Sequence, residues 1–254
     1  MTIASDSGQG QPTLVLMHFF GSSHHEWTAV ISQIASDCRV VTLDMPGFGS
    51  AREVSGYDVA SMTRHVRETI EAADLDDVIL VGHSFSGRIA MTLAAAQPDW
   101  LRALVLIAPS PPGPQAISDE EHRFQLDFDF SEAQARAFID GASAVTLDPT
   151  DYQQAVEDAI GANPAAWRAW PTQTYAEDWR ERVGRLDTPA WVLVGDLDPS
   201  LPPSTQRREV MPHLAAGELE VYPGYGHLLP LEMPARLAQR LEAIADEIRT
   251  TGRR

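Results

Sequence analysis

The sequence predicts an α/β fold: a mostly parallel sheet with helices on both faces and an inserted helical lid. Three observations predict it. Short apolar runs alternate with segments of helical periodicity up to about residue 109 and again after about residue 187. Between those stretches the chain turns helical and acidic, with no convincing strand. One apolar run, Val78 to Val81, ends in a Gly-rich turn that opens directly into a helix rich in Ala and Leu.

The elements follow in order. The opening MTIASDSGQGQP has no basic n-region and no apolar h-region, so it reads as a short flexible tail and not as a signal peptide. Leu14 to Met17 is a buried strand, followed by the loop His18–Ser23. Trp27, Val30, Ile31 and Ile34 fall at helical spacing. Arg39 to Leu43 is the next strand, and it runs into Asp44-Met45-Pro46-Gly47-Phe48-Gly49-Ser50, a tight loop set by Pro and two Gly. Val59, Met62, Val66 and Ile70 mark a helix with Asp58 as its N-cap. The Val78 strand and its helix come next, and Pro98 ends that helix. Leu101 to Ala108 is a strand stopped by Pro109.

The Pro-rich stretch Pro109 to Pro114 is a rigid linker into the helical segment. Ser131 is expected to cap a helix over Glu132–Ile139, and Asp151 another over Tyr152–Ile160. Strands resume at Ala190–Val194 and Glu218–Tyr222, separated by a helix over about Ser204–His213. Leu237, Leu241, Ile244 and Ile248 give a closing helix. The chain reads as a single domain, with a core over about 12–109 and 187–250 and a lid over about 110–186.

Alternating strands and helices make a parallel sheet, and such sheets place ligands beyond the carboxyl ends of their strands. The loops at His18, Asp44, Ser84 and Pro109 all follow strands, so all gather on that edge.

Composition narrows the partners. The 254 residues are 44% hydrophobic, enough for a sizeable core. There are 19 Arg and no Lys against 36 Asp and Glu, a net charge of −17 that argues against nucleic acid and against an anionic membrane surface. The single Cys38 excludes an internal disulfide and a Cys-based metal site, and it reads as a small buried residue. No apolar run approaches membrane-spanning length. The expectation is a cytoplasmic protein that acts on a small molecule without a cofactor or metal, its oligomeric state left open.

The chemistry gathers at Gly82-His83-Ser84-Phe85-Ser86-Gly87. Strand, sharp turn carrying Ser, and helix form the setting of a G-x-S-x-G nucleophile elbow. Ser86 stands where the pattern has Gly, and it is small enough to keep the assignment. A plain N-capping Ser would look similar from this stretch alone. A Ser hydroxyl needs a base, and the base an orienting acid. His227, in Pro223-Gly224-Tyr225-Gly226-His227, and Asp198, in Gly195-Asp196-Leu197-Asp198-Pro199, follow later strands onto the same edge. Asp198 is preferred over Asp196 because it lies further into the loop and precedes Pro; Asp196 is left to brace the turn. Acyl transfer also needs oxyanion donors, and the backbone N–H groups of Phe85 and Phe20 are the candidates.

The order Ser84, Asp198, His227, with the loops DMPGFGS, GDLDP and GHLLPLEMP, resembles the α/β-hydrolase superfamily over essentially the whole length. The family's first loop usually reads His-Gly-x-Gly, and Phe19 takes the place of its first Gly here. The resemblance implies an α/β-hydrolase fold and a catalytic triad of Ser84, Asp198 and His227. Serine at the elbow argues against the dehalogenases and epoxide hydrolases of this fold, which use Asp. It points to esters, lactones, thioesters or activated amides, with a small, largely apolar ester or lactone favoured by Phe19, Phe20 and Phe85. The candidates for substrate binding are Phe19, His83, Arg88 and Trp167.

Other readings stay open. A lyase or carbon–carbon bond hydrolase would use the same triad, similar to 2-succinyl-6-hydroxy-2,4-cyclohexadiene-1-carboxylate synthase, with Arg88 holding a substrate carboxylate. Arg88 also reads as an ordinary helix residue pairing with nearby acids. A ligand-binding receptor on a hydrolase fold is the non-enzymatic alternative. His24 and His25 lack a third metal ligand and read as a solvated loop. Asp119-Glu120-Glu121-His122 reads as a solvated acidic helix start, and Trp167, Trp170 and Trp179 as lid core, with the alternative that one or two of them line an aromatic-friendly pocket.

Overall fold

The computed structural model describes residues 3–35 and 37–251. Among them, seven strands form one sheet: β1 Ile3–Ser7, β2 Thr13–Met17, β3 Val40–Leu43, β4 Val78–His83, β5 Leu101–Ile107, β6 Ala190–Gly195 and β7 Gly217–Tyr222. Their order is β1-β3-β2-β4-β5-β6-β7. Neighbours from β3 to β7 pair in parallel, and β1 alone runs antiparallel, on β3.

β2, β4 and β6 are buried along their whole length, which is why they read as unbroken apolar runs. Their side chains alternate between two layers. Val15, Met17 and Leu80 join one core with α2 (Val59–Ala72) and α3 (Phe85–Ala94). Leu14, Leu16 and Ile79 join the other, with Trp27, Val30 and the closing helix. Cys38 is buried in that second layer, as expected.

β1 overturns the expectation of a flexible tail; Met1 and Thr2 of that stretch lie outside the described residues. IASDS has little apolar signal of its own. Its strand exists through the ladder to β3, a hydrogen bond between the Ser5 and Thr42 hydroxyls at 2.7 Å, and the Asp6–Arg39 ion pair at 2.8 Å. A half-exposed edge strand needs no long apolar run.

The short helix α1 (Thr28–Ile31) follows a 3₁₀ turn over His24–Trp27 and packs against α11 (Pro234–Thr251). Asp58 caps α2, accepting from the Ser61 N–H at 2.8 Å. Between β5 and β6 lie α4 (Asp119–Leu126), α5 (Glu132–Ala142), α6 (Pro149–Gly161), α7 (Pro164–Thr172) and α8 (Arg180–Val183). Ser131 caps α5 as expected, but α6 starts earlier than expected. Asp148 caps it, with Pro149 in the first turn, where a missing N–H costs nothing. Asp151 is thus a first-turn residue. The helix expected over Ser204–His213 is α9 (Pro203–Thr205), a π turn over Gln206–Val210 and a 3₁₀ turn over Met211–His213. α10 (Leu229–Glu232) leads into α11. No described helix is long and apolar enough to cross a membrane.

Candidate active site

Ser84 joins β4 to α3 with φ 57° and ψ −120°. A non-glycine residue holds such a backbone only when its surroundings enforce it. They do so by close packing: a Cβ on Gly82 would come within 2.6 Å of the Ser86 carbonyl oxygen, and one on Gly87 within 2.5 Å of the Pro109 Cβ. Ser86 is tolerated because it is used. Its hydroxyl donates to the His18 carbonyl at 2.5 Å and ties the turn to the loop after β2.

Asp198 and His227 meet in the loops after β6 and β7. Asp198 Oδ2 lies 2.8 Å from His227 Nδ1, while its Oδ1 accepts the N–H groups of Ser200 and Leu201 at 2.9 and 2.8 Å. Burial raises the Asp198 carboxyl, but the His227 charge and these hydrogen bonds outweigh it and leave it below its ordinary value. Burial disfavours the charged His227, but Asp198 outweighs that and raises the imidazole above its ordinary value. Asp196 ties its turn to the loop after β7 and does not brace its own turn, accepting the Gly224 N–H at 2.6 Å. Glu232 grips both sides of the histidine, accepting from Gly226 N–H at 2.7 Å and Leu228 N–H at 3.0 Å.

The loop after β2 is held by a buried chain of partners. Glu26 Oε2 accepts the Phe19 N–H at 3.1 Å, so that amide is already engaged and Phe20 is the next N–H along the loop. Phe85 opens α3, where the first N–H groups have no partner within the helix. Ser84 and His227 share one cavity of about 60 Å³, whose apolar wall includes Phe19, Phe20, Phe138, Trp170 and Leu201 and whose polar wall includes Gln115, Glu121, Gln125 and Ser200. A larger hollow beside Gln97–Arg102 and Asp187–Pro189 sits at the amino ends of β5 and β6, away from this edge.

The model of the alpha/beta hydrolase family matches residues 14–240. The chain belongs to that family. A pimeloyl-[acyl-carrier protein] methyl ester esterase of Citrobacter koseri is 25% identical over 256 residues, covering 95% of this chain and 96% of the relative. An esterase from Exiguobacterium antarcticum superposes with a TM-score of 0.85 at 18% identity, over 95% of this chain and 94% of that one. A bromoperoxidase from Bacillus anthracis gives 0.83 at 21%, over 94% and 93%. At those identities the two structures establish the shared fold.

Within this hydrolase fold, Ser84, His227, Phe19 and Phe20 line the cavity, and of the four residues expected to bind substrate the other three, His83, Arg88 and Trp167, do not. Arg88 is fully buried and donates to backbone carbonyls: Nε to Pro111 at 2.7 Å, Nη1 to Thr174 at 2.7 Å and Nη2 to Gly113 at 3.0 Å. Its donors are engaged by these carbonyls, and among the described residues it forms no ion pair with an acid; it ties the segments around Pro111–Gly113 and Thr174 to α3. His83 is also fully buried, with Nε2 donating to the His227 carbonyl at 2.9 Å and Nδ1 3.3 Å from Glu26. Burial pushes Glu26 up to about 8 and His83 down to about 3, so near neutrality the acid keeps its proton and shares it with His83. His83 is a support for the histidine loop, not a substrate contact. Trp167 is stacked on Phe128 with ring centroids 3.8 Å apart and donates to the Gln125 carbonyl at 3.0 Å; it is core of the insertion, and Trp170 takes the place at the cavity.

His24 and His25 are not a free solvated loop. They pair with Asp44 at 3.0 Å and Asp158 at 3.1 Å. Among the described residues, no group of three His, Cys, Asp or Glu is placed to hold a metal. Asp119 and Glu120 are solvated as expected, but Glu121 is half-buried and faces the cavity. Its only sequence signal is Gln125 one turn later, on the same helix face. Apolar periodicity passes over a polar pair.

Proposed function

We propose that this protein is a serine hydrolase that cleaves a small, largely apolar carboxylic ester or lactone through a Ser84 acyl-enzyme. The observation that carries this reading is the meeting of Ser84, in its left-handed turn, with His227 in one cavity, while Asp198 holds His227 Nδ1 at 2.8 Å. The methyl ester esterases among its relatives support the same reaction class.

The cycle uses side chains and amides of this chain. His227 takes the Ser84 proton as the hydroxyl attacks the carbonyl. The N–H groups of Phe20 and Phe85 stabilise the oxyanion. His227 returns the proton to the leaving alkoxide, then activates the water that frees the acid. Asp198 keeps the imidazole in the tautomer whose Nε2 faces Ser84. The helices between β5 and β6 act as the lid, and the small cavity beneath them suits a short acyl group. The carbon–carbon hydrolase reading loses its carboxylate anchor, because Arg88 is occupied by carbonyls.

The test is turnover of p-nitrophenyl acetate, butyrate and octanoate by wild type and Ser84→Ala. The expected result is a preference for the short esters and a fall of about 10⁴-fold or more in the variant. A well-folded wild type that turns over none of them, or an undiminished variant, overturns the reading.

A further inference from the structure

Glu26 and His83 form a buried pair behind the cavity, each side chain 1% exposed. Each gives one bond to a loop of the candidate site. Glu26 Oε2 accepts the Phe19 N–H at 3.1 Å. The peptide that carries the Phe20 N–H follows at once, and its carbonyl, on Phe19, lies 2.8 Å from His18 Nδ1. On the other side, His83 Nε2 donates to the His227 carbonyl at 2.9 Å. Glu26 Oε1 and His83 Nδ1 close the chain at 3.3 Å. The loops after β2 and β7 are thus joined through two side chains, although those strands are not neighbours in the sheet.

The bonds fix the protons. A carbonyl oxygen only accepts, so His83 Nε2 carries a hydrogen. The contact between Nδ1 and Glu26 needs a second, held on the acid or on the ring. Without it, one contact sets lone pair against lone pair: Nδ1 against Oε1, or Nε2 against the His227 carbonyl once the ring changes tautomer. The charges around the pair are mixed. Glu26 faces His18, Asp158 and the Ser22 hydroxyl, and His83 faces His227, Asp198 and Glu232. Burial is the largest influence on both and disfavours charge, so the second proton stays on Glu26 up to about pH 8.

Resting on the serine-hydrolase reading, we propose that Glu26 and His83 are positioning residues that hold the Phe20 N–H and His227 in register beside Ser84, and that they do so only while the pair keeps both protons. Neither side chain lines the cavity. Loss of the second proton releases one loop from the other, and turnover falls as pH rises.

The test is kcat and KM for ethyl butyrate, followed by pH-stat from about pH 6 to about pH 9.5, in wild type, Glu26→Gln and Glu26→Ala. Circular dichroism checks that each protein is folded at each pH. In wild type, kcat is expected to fall about tenfold or more from about pH 7 to the alkaline end, with KM within about threefold. Glu26→Ala is expected to lose about tenfold or more in kcat already at neutral pH. Glu26→Gln, whose amide donates to Nδ1 without titrating and whose oxygen keeps the Phe19 N–H, is expected to rescue kcat and to remove the alkaline fall. Where Glu26→Ala does not fold, the Gln comparison decides alone. A wild-type kcat that stays level, or a fall that persists in Glu26→Gln, overturns the proposal. Heteronuclear spectra of the labelled histidine rings, recorded on Ser84→Ala, keep it separate from the hydrolytic reading. His83 and His227 signals that move together near pH 8, and stay fixed when Glu26→Gln is added, support the proposal even where wild type hydrolyses no ester. A His227 ring that does not respond there overturns it.

Discussion

The two sides of the cavity are finished differently. On the sheet edge, the Asp198 oxygens are all engaged, and His227 is held at its ring, its carbonyl and both neighbouring amides. On the side of the inserted helices, Gln115 and Gln125 keep buried oxygens without partners. The difference separates two tasks. A reaction needs its groups held in one geometry, so the edge is saturated with internal hydrogen bonds. Covering the cavity asks less of its polar groups, so the insertion leaves some buried oxygens unpaired.

The comparison breaks most sharply at the two aspartates of one loop. Asp198→Asn replaces the acceptor on His227 Nδ1 and favours the wrong tautomer, with an expected loss of about 10⁴-fold in kcat. Asp196→Asn keeps an oxygen for the Gly224 N–H and should stay within about threefold of wild type. Equal losses in ester turnover at both positions would remove the distinction between acid and loop tie.

The next largest effect lies behind the edge. Glu26→Ala leaves the Phe19 N–H and His83 Nδ1 without their partner, at about 1–3 kcal/mol each. Glu26→Gln keeps both, its oxygen accepting and its amide donating. Glu26 in the folded protein is raised to about 8 from the ordinary carboxylate range, so folding takes up a proton between those values. Its contribution to stability is complete at acid pH and is lost as pH rises toward and through about 8, at a slope of at most about 1.4 kcal/mol per pH unit. Urea midpoints from pH 5 to 9 should show that decline in wild type and a flatter profile in Glu26→Gln. Parallel profiles would mean that the acid is ionised in the fold.

The smallest expected effect is a displacement. His227 acts as base only when neutral, and Asp198 raises it above its ordinary value despite burial. The acid limb of kcat/KM against pH should therefore lie above that of an ordinary histidine, with activity rising as pH increases through it. A limb at or below the ordinary histidine value would show that burial outweighs Asp198.

Much of the sheet edge that carries the candidate site was legible from local chemistry. Val78–Val81, Gly82 and the Ala-rich helix are covalent neighbours, so their apolar run and turn residues suffice to predict strand, turn and helix. GDLDP and PGYGH likewise follow their strands directly, which places Asp198 and His227 on the same edge as Ser84. The inserted helices were legible as helices, not as surroundings. Their caps are local, while the direction each helix presents to the cavity depends on packing between segments far apart in the chain. Glu121 shows the difference: among solvated acids in sequence, it is drawn inward when α4 packs on α7.

The sequence by itself determined the alternation of strands and helices, the sharp turn at Ser84 and the placing of Ser84, Asp198 and His227 on one sheet edge, because each depends on neighbours in the chain or on strand direction. Tertiary structure decided the rest. It made a strand of Ile3–Ser7 through pairing with β3. It placed the Arg88 guanidinium on carbonyls up to 87 residues away, which no helical spacing encodes. It also brought Glu121, Gln115 and Gln125 to the wall of the cavity that Ser84 and His227 share. A lone polar residue carries no mark of its partners until the chain has folded, and those partners decide whether it braces, binds or faces water.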